Sequence, residues 1–158
     1  MIKALVFDWG DTIMRDFKLE GAMSAWEKVA WIDGAKKILE IFNRKYTCII
    51  ATSADHSNTK DMIAALHRVG ADKYFHFFFS QKEIGFKKPD VRFFTEVIKQ
   101  SNLNVNECVM IGNSYEMDIV GAKKAGLTTV FFNESATAGN FPAADFVVVK
   151  LFDLLTIF

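Results

Sequence analysis

The sequence predicts a single α/β domain in which helices cover both faces of a mostly parallel sheet. Short apolar segments alternate with amphipathic segments along the whole chain, and no linker or repeat interrupts them. The apolar segments are continuous rather than alternating, which is typical of strands covered on both faces. The chain has 158 residues, 51% of them hydrophobic, which is enough for one substantial core. We therefore expect a three-layer Rossmann-like fold over residues 1–158.

Six strands and five helices are expected from this pattern. The predicted strands, short apolar runs, are residues 4–7, 46–51, 75–79, 108–111, 128–132 and 146–149. The predicted helices, with apolar residues at helical spacing, are residues 19–30, 34–44, 57–69, 91–100 and 117–125. Pro89 stands just before the fourth helix and Gly126 just after the fifth, positions that these residues favour at helix ends.

Composition excludes several classes of protein. Nineteen basic and nineteen acidic residues give a net charge of zero without a basic stripe, so neither nucleic acid nor an anionic membrane is an expected partner. No apolar run approaches the ~20 residues of a membrane span. Asp8 interrupts the first apolar run too early for a signal peptide, and a cytoplasmic location is expected. Cys48 and Cys108 fall in predicted strands and are expected to be buried thiols rather than a disulfide.

Four polar groups lie beyond the ends of predicted strands. Asp8 follows the first strand, Thr52 follows the second, Lys88 lies in the loop region after the third, and Asn113 comes just after the fourth. Because parallel strands end at one edge of the sheet, we expect these groups to meet there. A carboxylate, a hydroxyl, an ammonium group and a metal anchor together suit phosphoryl transfer.

The segments that carry these groups resemble the haloacid dehalogenase superfamily, whose members are mostly phosphatases. They read Val6-Phe7-Asp8-Trp9-Gly10-Asp11-Thr12, Ile50-Ala51-Thr52-Ser53, Gly85-Phe86-Lys87-Lys88-Pro89-Asp90, and Met110-Ile111-Gly112-Asn113-Ser114 with Asp118. The resemblance extends over residues 4–149 and is specific in the combination of segments rather than in any one. It implies a hydrolase that acts on phosphoric monoesters.

The resemblance implies a role in binding or attacking phosphate for five residues. Asp8 would attack phosphorus and form an aspartyl-phosphate. Thr12, Thr52, Ser53 and Lys88 would hold the phosphoryl group, and Lys88 would also bind the nucleophile. Each of these roles has a plainer alternative: Asp8 could simply end a strand, Thr12 could stabilise the turn, and Thr52 could cap the next helix.

The resemblance also implies a Mg²⁺ site. Its ligands would be Asp8, the backbone carbonyl of Gly10 and Asn113, with Asp118 as an acidic support that acts directly or through water. Oxygen ligands of this kind suit Mg²⁺. The plainer alternative for Asp118 is an acid on a helix surface.

Two positions depart from the family pattern. Gly10 stands where most family phosphatases carry an Asp that serves as general acid and base, and Asp11 is one residue too late to replace it. Since such help is worth roughly 10²–10⁴ in rate, a slower enzyme that favours aryl and acyl phosphates over alkyl phosphates is expected. Asn113 stands where the family usually has Asp, and the lost negative charge predicts weaker binding of Mg²⁺.

No large cap domain is expected, because too few residues separate the motifs to hold one. Residues 13–31 could form only a short flap or helix in its place. The apolar side chains there, Phe17, Met23, Trp26 and Trp31, could contact a second subunit of a homo-oligomer or pack on the chain's own sheet. The expected substrate is a phosphorylated small molecule or an exposed phosphoryl group on a larger one.

Other activities are compatible with the same segments. A catalytically degenerate module that binds phosphate or a partner protein would explain Gly10 and Asn113. Relatives that cleave carbon–phosphorus bonds also carry Trp after the nucleophile, but they need a Schiff-base lysine, for which only Lys18 and Lys28 are placed. Dehalogenase chemistry is the least favoured, since those relatives carry a cap and need no metal site.

Overall fold

A computed structural model describes all 158 residues and contains one six-stranded, fully parallel sheet. The strands are β1 Ala4–Phe7, β2 Thr47–Thr52, β3 Phe77–Ser80, β4 Cys108–Gly112, β5 Thr128–Phe132 and β6 Phe146–Val148. Their order across the sheet is β3-β2-β1-β4-β5-β6, so the strand order reverses between β1 and β4. All six predicted strands are present, and the sheet is more regular than the mostly parallel one expected.

Helices cover both faces of this sheet. They are α1 Ala35–Phe42, α2 Thr59–Val69, α3 Gln81–Ile84, α4 Val91–Gln100 and α5 Gly121–Ala125, with a π-helical segment Tyr115–Val120 that runs directly into α5. Short 3₁₀ turns occur at Met23–Ala25, Asp72–Tyr74, Val105–Glu107 and Leu151–Thr156. None of these helices has both the length and the apolar composition needed to cross a lipid bilayer. The Rossmann-like three-layer fold is therefore confirmed.

Alternate residues of β1, β2 and β4 supply two separate cores. On one face, Leu5 and Phe7 of β1 join a cluster of 27 buried residues that includes α1, α2 and the C-terminal 3₁₀ turn. On the other face, Ala4 and Val6 join a cluster of 14 buried residues that includes α4 and α5. This alternation follows from the two-residue period of a strand and fixes which side chains reach each layer.

The strand ends are aligned by the register of the sheet. Phe7 lies level with Ile50 of β2 and with Ile111 of β4. The residues that follow, Asp8 just after β1 and Gly112 at the end of β4, are therefore neighbours at one edge. That edge lies where the strand order reverses, which is where open α/β sheets bind ligands.

The helix predicted over residues 19–30 is wrong, because only the turn Met23–Ala25 forms there. Gly21 adopts a left-handed φ of 76°, which a continuous helix cannot contain. The side chain of Trp26 instead donates from Nε1 to the backbone carbonyls of Glu20 and Gly21, at 3.1 and 3.2 Å. The spacing of apolar residues predicted a helix, but the local hydrogen bonds that the buried Trp26 donates favour a different backbone path.

We call residues 13–31 the flap. Its two arms are tied at the base, where Met14 and Trp31 form an antiparallel bridge. Its tip rests on α2, where Arg68 Nη1 donates to the carbonyls of Ser24 and Trp26 at 3.2 and 2.6 Å. The flap therefore folds back onto its own domain, and no domain is inserted in its place.

The flap's apolar side chains pack within the chain itself. Met23 and Trp26 are buried, while Phe17 and Trp31 are partly buried against the same core. This arrangement matches the alternative in which the segment covers its own sheet. Association with a second subunit stays a prediction that these side chains do not require.

Candidate active site

A cleft of about 560 Å³ opens at the edge where β1, β2 and β4 end. Asp8, Thr52, Lys88, Asn113 and Asp118 line it, and the flap and the loop after β2 form its walls. The structure thus brings together the groups that the sequence placed beyond separate strand ends.

Lys88 is the centre of the cleft floor. Its Nζ lies 2.7 Å from Asp8 Oδ1 and 2.7 Å from Asp118 Oδ1, and it donates to the carbonyl of Ala51 at 3.2 Å. Lys88 is 2% exposed and Asp118 is 1% exposed. One ammonium group is therefore shared by two carboxylates out of contact with most solvent.

Burial and charged neighbours shift the pKa values of both Lys88 and Asp118. Burial by itself lowers the pKa of Lys88, but the carboxylates of Asp118 and Asp8 outweigh it and raise the pKa above its usual value. Burial and the nearby Asp8 carboxylate raise the pKa of Asp118 to about 6, although Lys88 opposes them. Lys88 consequently stays cationic and can neutralise charge on a bound phosphoryl group.

The turn after β1 holds Asp8 in place. The backbone N–H groups of Thr12, Ile13 and Met14 all donate to the carbonyl of Trp9, at 3.3, 2.9 and 3.2 Å. This tight turn brings the hydroxyl of Thr12 back to Asp8 Oδ2, to which it donates at 3.3 Å. Thr12 is fully buried, so it closes the turn beneath the carboxylate.

Three oxygen-bearing groups converge on one point beside Asp8. One atom of the Asn113 amide lies 3.0 Å from Asp8 Oδ2 and 3.2 Å from the carbonyl oxygen of Gly10. The amide oxygen and nitrogen exchange places on a 180° rotation of the group. The surrounding acceptors favour nitrogen at this position, where the amide donates to Asp8 and Gly10; with oxygen there, a cation is needed to offset the repulsion.

The spacing of these groups fits the expected Mg²⁺ ligands. In an octahedral shell with bonds of about 2.0–2.1 Å, neighbouring ligand oxygens lie ~3 Å apart. The separations of 3.0 and 3.2 Å are near that edge length, and they are equally ordinary N–H···O distances for the amide nitrogen. The expected ligands are one carboxylate, one backbone carbonyl and one amide. The structure has no cluster of three His, Cys, Asp or Glu side chains that could hold a metal.

Asp118 is held by two partners. Its Oδ1 accepts from Lys88, and its Oδ2 accepts from the backbone N–H of Ser114 at 3.0 Å. A Cβ on Gly112 would collide with this carboxylate, so the approach requires glycine at the end of β4. The contacts show Asp118 holding Lys88, and its support of a metal through water stays a prediction.

Two hydroxyl groups, on the last residue of β2 and on the residue after it, complete the floor of the cleft. Thr52, 4% exposed, accepts the N–H of Ala54 at 3.1 Å. Ser53 accepts the backbone N–H of Lys88 at 2.9 Å and so ties the loop of β2 to the lysine. Because each hydroxyl accepts these bonds through oxygen, its own hydrogen stays available to donate to a bound anion.

Several cleft residues were not predicted from the sequence. Asp16, Lys18, Met23 and Trp26 reach the cleft from the flap, and His56 lines its mouth. Lys18 was considered only as a Schiff-base lysine, and nothing in the sequence placed Asp16 at the cleft, since the approach of both depends on how the flap folds back. Only the spacing of apolar residues hinted at Met23 and Trp26, and it suggested a helix.

Asp11, one residue after Gly10, is engaged within the turn. It has a left-handed φ of 56°, and its Oδ1 accepts the backbone N–H of Asp16 at 3.0 Å and Nη1 of Arg15 at 3.3 Å. These contacts agree with the inference that Asp11 does not replace an acid at position 10.

The fold and the cleft together define a class: a parallel α/β protein with a carboxylate beside a buried lysine at the switch in strand order. Residues 7–132 match the family described as haloacid dehalogenase-like hydrolase. The chain belongs to this family, as its motifs indicated.

Individual relatives agree with this assignment. The chain is 30% identical over 119 residues to ribulose-1,5-bisphosphate 5-phosphatase of Halopiger xanaduensis, covering 75% of the chain and 49% of that protein. It is 30% identical over 132 residues to glyceraldehyde 3-phosphate phosphatase of Pyrococcus furiosus, covering 80% and 53%. The chain thus spans about half the length of these curated relatives.

The fold is also found among solved structures. The Bacillus subtilis HAD-hydrolase YfnB, bound to magnesium, aligns with a TM-score of 0.83 at 18% identity, covering 99% of this chain and 98% of that one. At this level of identity the likeness shows that the two proteins share a fold.

Proposed function

We propose that the protein is a Mg²⁺-dependent phosphomonoesterase that acts through an aspartyl-phosphate on Asp8. The observation that carries the proposal is the placement of Lys88 Nζ 2.7 Å from Asp8 in a buried floor. A structural ion pair would not need a second carboxylate, two hydroxyl groups and an open cleft beside it. An ester with a phosphoryl group at this point would meet a nucleophile and a fixed cation together.

The residues divide the work of two chemical steps. A carboxylate oxygen of Asp8 bonds to phosphorus as the ester P–O bond breaks, which transfers the phosphoryl group to the protein. Lys88 neutralises charge on the phosphoryl oxygens, and the hydroxyl groups of Thr52 and Ser53 donate to them. Water then attacks the same phosphorus, the bond to Asp8 breaks, and inorganic phosphate leaves.

Asp8, the carbonyl of Gly10 and Asn113 would hold Mg²⁺, with Asp118 behind them. A bound Mg²⁺ supplies positive charge that orients the phosphoryl group and offsets the charge of the nucleophile. Asn113 brings one negative charge fewer than a carboxylate, so we expect weaker binding of the ion than an aspartate would give.

We propose a phosphorylated small molecule as substrate, as the relatives named for sugar and triose phosphates suggest. The wide cleft also leaves room for an exposed phosphoryl group on a larger molecule. We further propose that residues 1–158 act as one domain, with the flap in place of a cap, in the cytoplasm.

Cleavage of a carbon–phosphorus bond is less well supported. A Schiff base needs a neutral lysine, and Lys18 is the lysine of the flap that reaches the cleft. A hydrogen bond from Lys18 to Asp16 raises the pKa of Lys18, because the carboxylate stabilises the charged form. Lys18 therefore favours the cationic state over the nucleophilic one.

The test is release of phosphate from p-nitrophenyl phosphate and acetyl phosphate, with and without Mg²⁺. We expect turnover that needs the ion and is abolished in Asp8→Asn. Turnover that persists in Asp8→Asn would contradict the covalent route. If there is no turnover but phosphate or Mg²⁺ still raises the melting temperature, the protein is a binding module on this scaffold.

A further inference from the structure

We propose that Ser57 selects the substrate of the hydrolysis proposed above, by hydrogen bonding to an uncharged hydroxyl group on the leaving part of the ester. The favoured substrate is then the phosphate monoester of an alcohol that carries at least one further hydroxyl and no second anionic group. The inference rests on the proposed function and deepens it, because it names the group that the outer cleft binds. Ser57 lies outside the segments that carry the family motifs in this chain.

Ser57 is a buried residue whose hydroxyl reaches the cleft. The residue is 2% exposed and lines the cleft on the wall formed by the loop after β2. Its Oγ has no hydrogen-bond partner within the protein, yet no buried polar side-chain atom of the chain is sealed off without one. The small surface that Ser57 exposes therefore includes Oγ. A hydroxyl in this setting can both donate and accept a hydrogen bond.

The other hydroxyl groups that line the cleft are each engaged within the protein. Thr52 and Ser53 accept backbone N–H groups, as described above. Ser114 Oγ accepts the backbone N–H of Met117 at 3.3 Å. Ser57 is therefore the cleft hydroxyl whose hydrogen-bonding capacity is wholly unused. Because a buried polar group without a partner is unfavourable, a ligand that pairs with Ser57 is bound more tightly.

The loop that carries Ser57 is held on both sides. Before Ser57, Gln81 Nε2 donates to Asp55 Oδ1 at 3.0 Å. After it, Asn58 caps α2: its Oδ1 accepts the backbone N–H of Asp61 at 2.8 Å, and its own N–H donates to Asp61 Oδ2 at 3.1 Å. The hydroxyl of Ser57 is thus in position before a substrate binds, which lowers the entropic cost of binding.

The charges of the outer cleft disfavour a second anion. Outside the floor, the titratable groups that line the cleft are three carboxylates, one ammonium group and one imidazole, namely those of Asp11, Asp16, Asp55, Lys18 and His56. Lys18 already donates to Asp16 at 2.6 Å. A second phosphate or a carboxylate on the leaving group would therefore meet more negative than positive charge, even beside a protonated imidazole. Repulsion of this kind rejects competing ligands, and an uncharged hydroxyl avoids it.

The cleft is large enough for one small ester to contact both the floor and Ser57. Its volume of about 560 Å³ is in the range of sites that bind small molecules. The phosphoryl group would lie on the floor beside Asp8 and Lys88, and the leaving part would extend along the wall to the Ser57 hydroxyl. A hydrogen bond there orients the leaving part without touching the reacting atoms, so Ser57 acts on specificity rather than on the chemical step.

The experiment compares three esters on a common carbon chain as competitors of p-nitrophenyl phosphate turnover. Pentyl phosphate has no further hydroxyl, ribitol 5-phosphate has several, and 5-phosphoribonate adds a carboxylate. We expect the wild-type protein to bind the ribitol ester most tightly. In Ser57→Ala the inhibition constant of that ester should rise about tenfold, as for one lost hydrogen bond, while that of the pentyl ester changes little. Ser135→Ala removes an exposed hydroxyl outside the cleft and should keep the wild-type constants.

Each other result has a definite meaning. Equal weakening of the ribitol and pentyl esters in Ser57→Ala would assign the loss to a disturbed loop and overturn the proposal. Unchanged binding of the ribitol ester would overturn it too, as would tightest binding of the carboxylate ester by the wild-type protein. Turnover that is absent or does not need Asp8 would overturn the proposed function instead. Calorimetric binding of the same esters to wild type and Ser57→Ala would then decide the role of Ser57 by the same comparison.

Discussion

The floor and the flap of the cleft are held in place by different forces. The floor is set by strand register and by a buried ion group, in which Lys88 joins Asp8 and Asp118 at 2.7 Å each. The flap has one 3₁₀ turn and is held by hydrogen bonds to backbone carbonyls, several of them from Arg68. The floor therefore has one arrangement fixed by the whole sheet, while the flap depends on a few contacts.

The two regions carry different kinds of groups: those expected to react lie on the floor, and those that border the cleft opening lie on the flap. Groups that must keep sub-ångström positions lie on the rigid sheet edge, where changes propagate into two cores. Asp16 and Lys18, which line the wall of the cleft, lie on the flap. Changes in the floor should therefore cost both stability and activity, and changes in the flap should alter activity with a smaller loss of stability.

The largest effect is expected from Lys88→Met. Loss of the ammonium group leaves Asp8 and Asp118 buried without a counter-charge, which should cost about 3–5 kcal/mol of unfolding free energy and abolish turnover. Urea denaturation measures the free energy of unfolding, and phosphate release measures turnover. Lys87→Met, at the exposed neighbouring position, should leave both unchanged. An equal urea midpoint for Lys88→Met and wild type would refute the importance of the ion group.

Glycine substitutions test how closely the floor is packed. Gly112→Ala places a methyl group against the carboxylate of Asp118 and should destabilise the protein by about 1–3 kcal/mol, with loss of turnover. Gly10→Ala meets only ordinary contacts and should unfold at nearly the wild-type temperature. Thermal unfolding of the two variants is compared side by side. Equal melting temperatures would argue against a close contact between position 112 and the Asp118 carboxylate.

Asn113→Asp tests the metal site on the floor. The added negative charge beside Asp8 should tighten Mg²⁺ binding by about tenfold, equivalent to ~1.4 kcal/mol. Isothermal calorimetry on the folded protein measures it without reference to turnover. An unchanged dissociation constant would count against Asn113 as a ligand.

The smallest effect is expected from Arg68→Ala. Loss of its hydrogen bonds to the flap should cost about 1 kcal/mol and speed amide exchange within residues 13–31. Exchange in β1 should stay as in the wild type. Arg44→Ala removes an exposed arginine away from the flap and serves as the control. Equal acceleration in β1 and in the flap would show that the two regions open together.

The sequence predicted the floor better than the flap for a physical reason. Parallel strands end at a common edge, so Asp8, Thr52 and Asn113 could be brought together without knowing any tertiary contact. Lys88 followed from its Lys-Pro context within the family resemblance. These inferences needed only the strand pattern and short motifs.

What could not be predicted depends on contacts between distant segments. The flap's path is set by Arg68, which comes from α2, and by a buried Trp26. The need for Gly112 appears only when Asp118 returns to the strand end. The proximity of Asp16 to Gly10 likewise arises from the folded flap, and no sequence motif predicts it.

The covalent step on Asp8 is tested most directly by trapping the aspartyl-phosphate intermediate. The protein is mixed with Mg²⁺ and acetyl phosphate, quenched in acid, and mapped by peptide mass spectrometry, with hydroxylamine treatment to reveal acyl-phosphate bonds. We expect one hydroxylamine-sensitive phosphoryl group, on Asp8, which is absent from Asp8→Asn. A protein that turns over acetyl phosphate while carrying the label on another residue, or carrying none under any quench time, would contradict it.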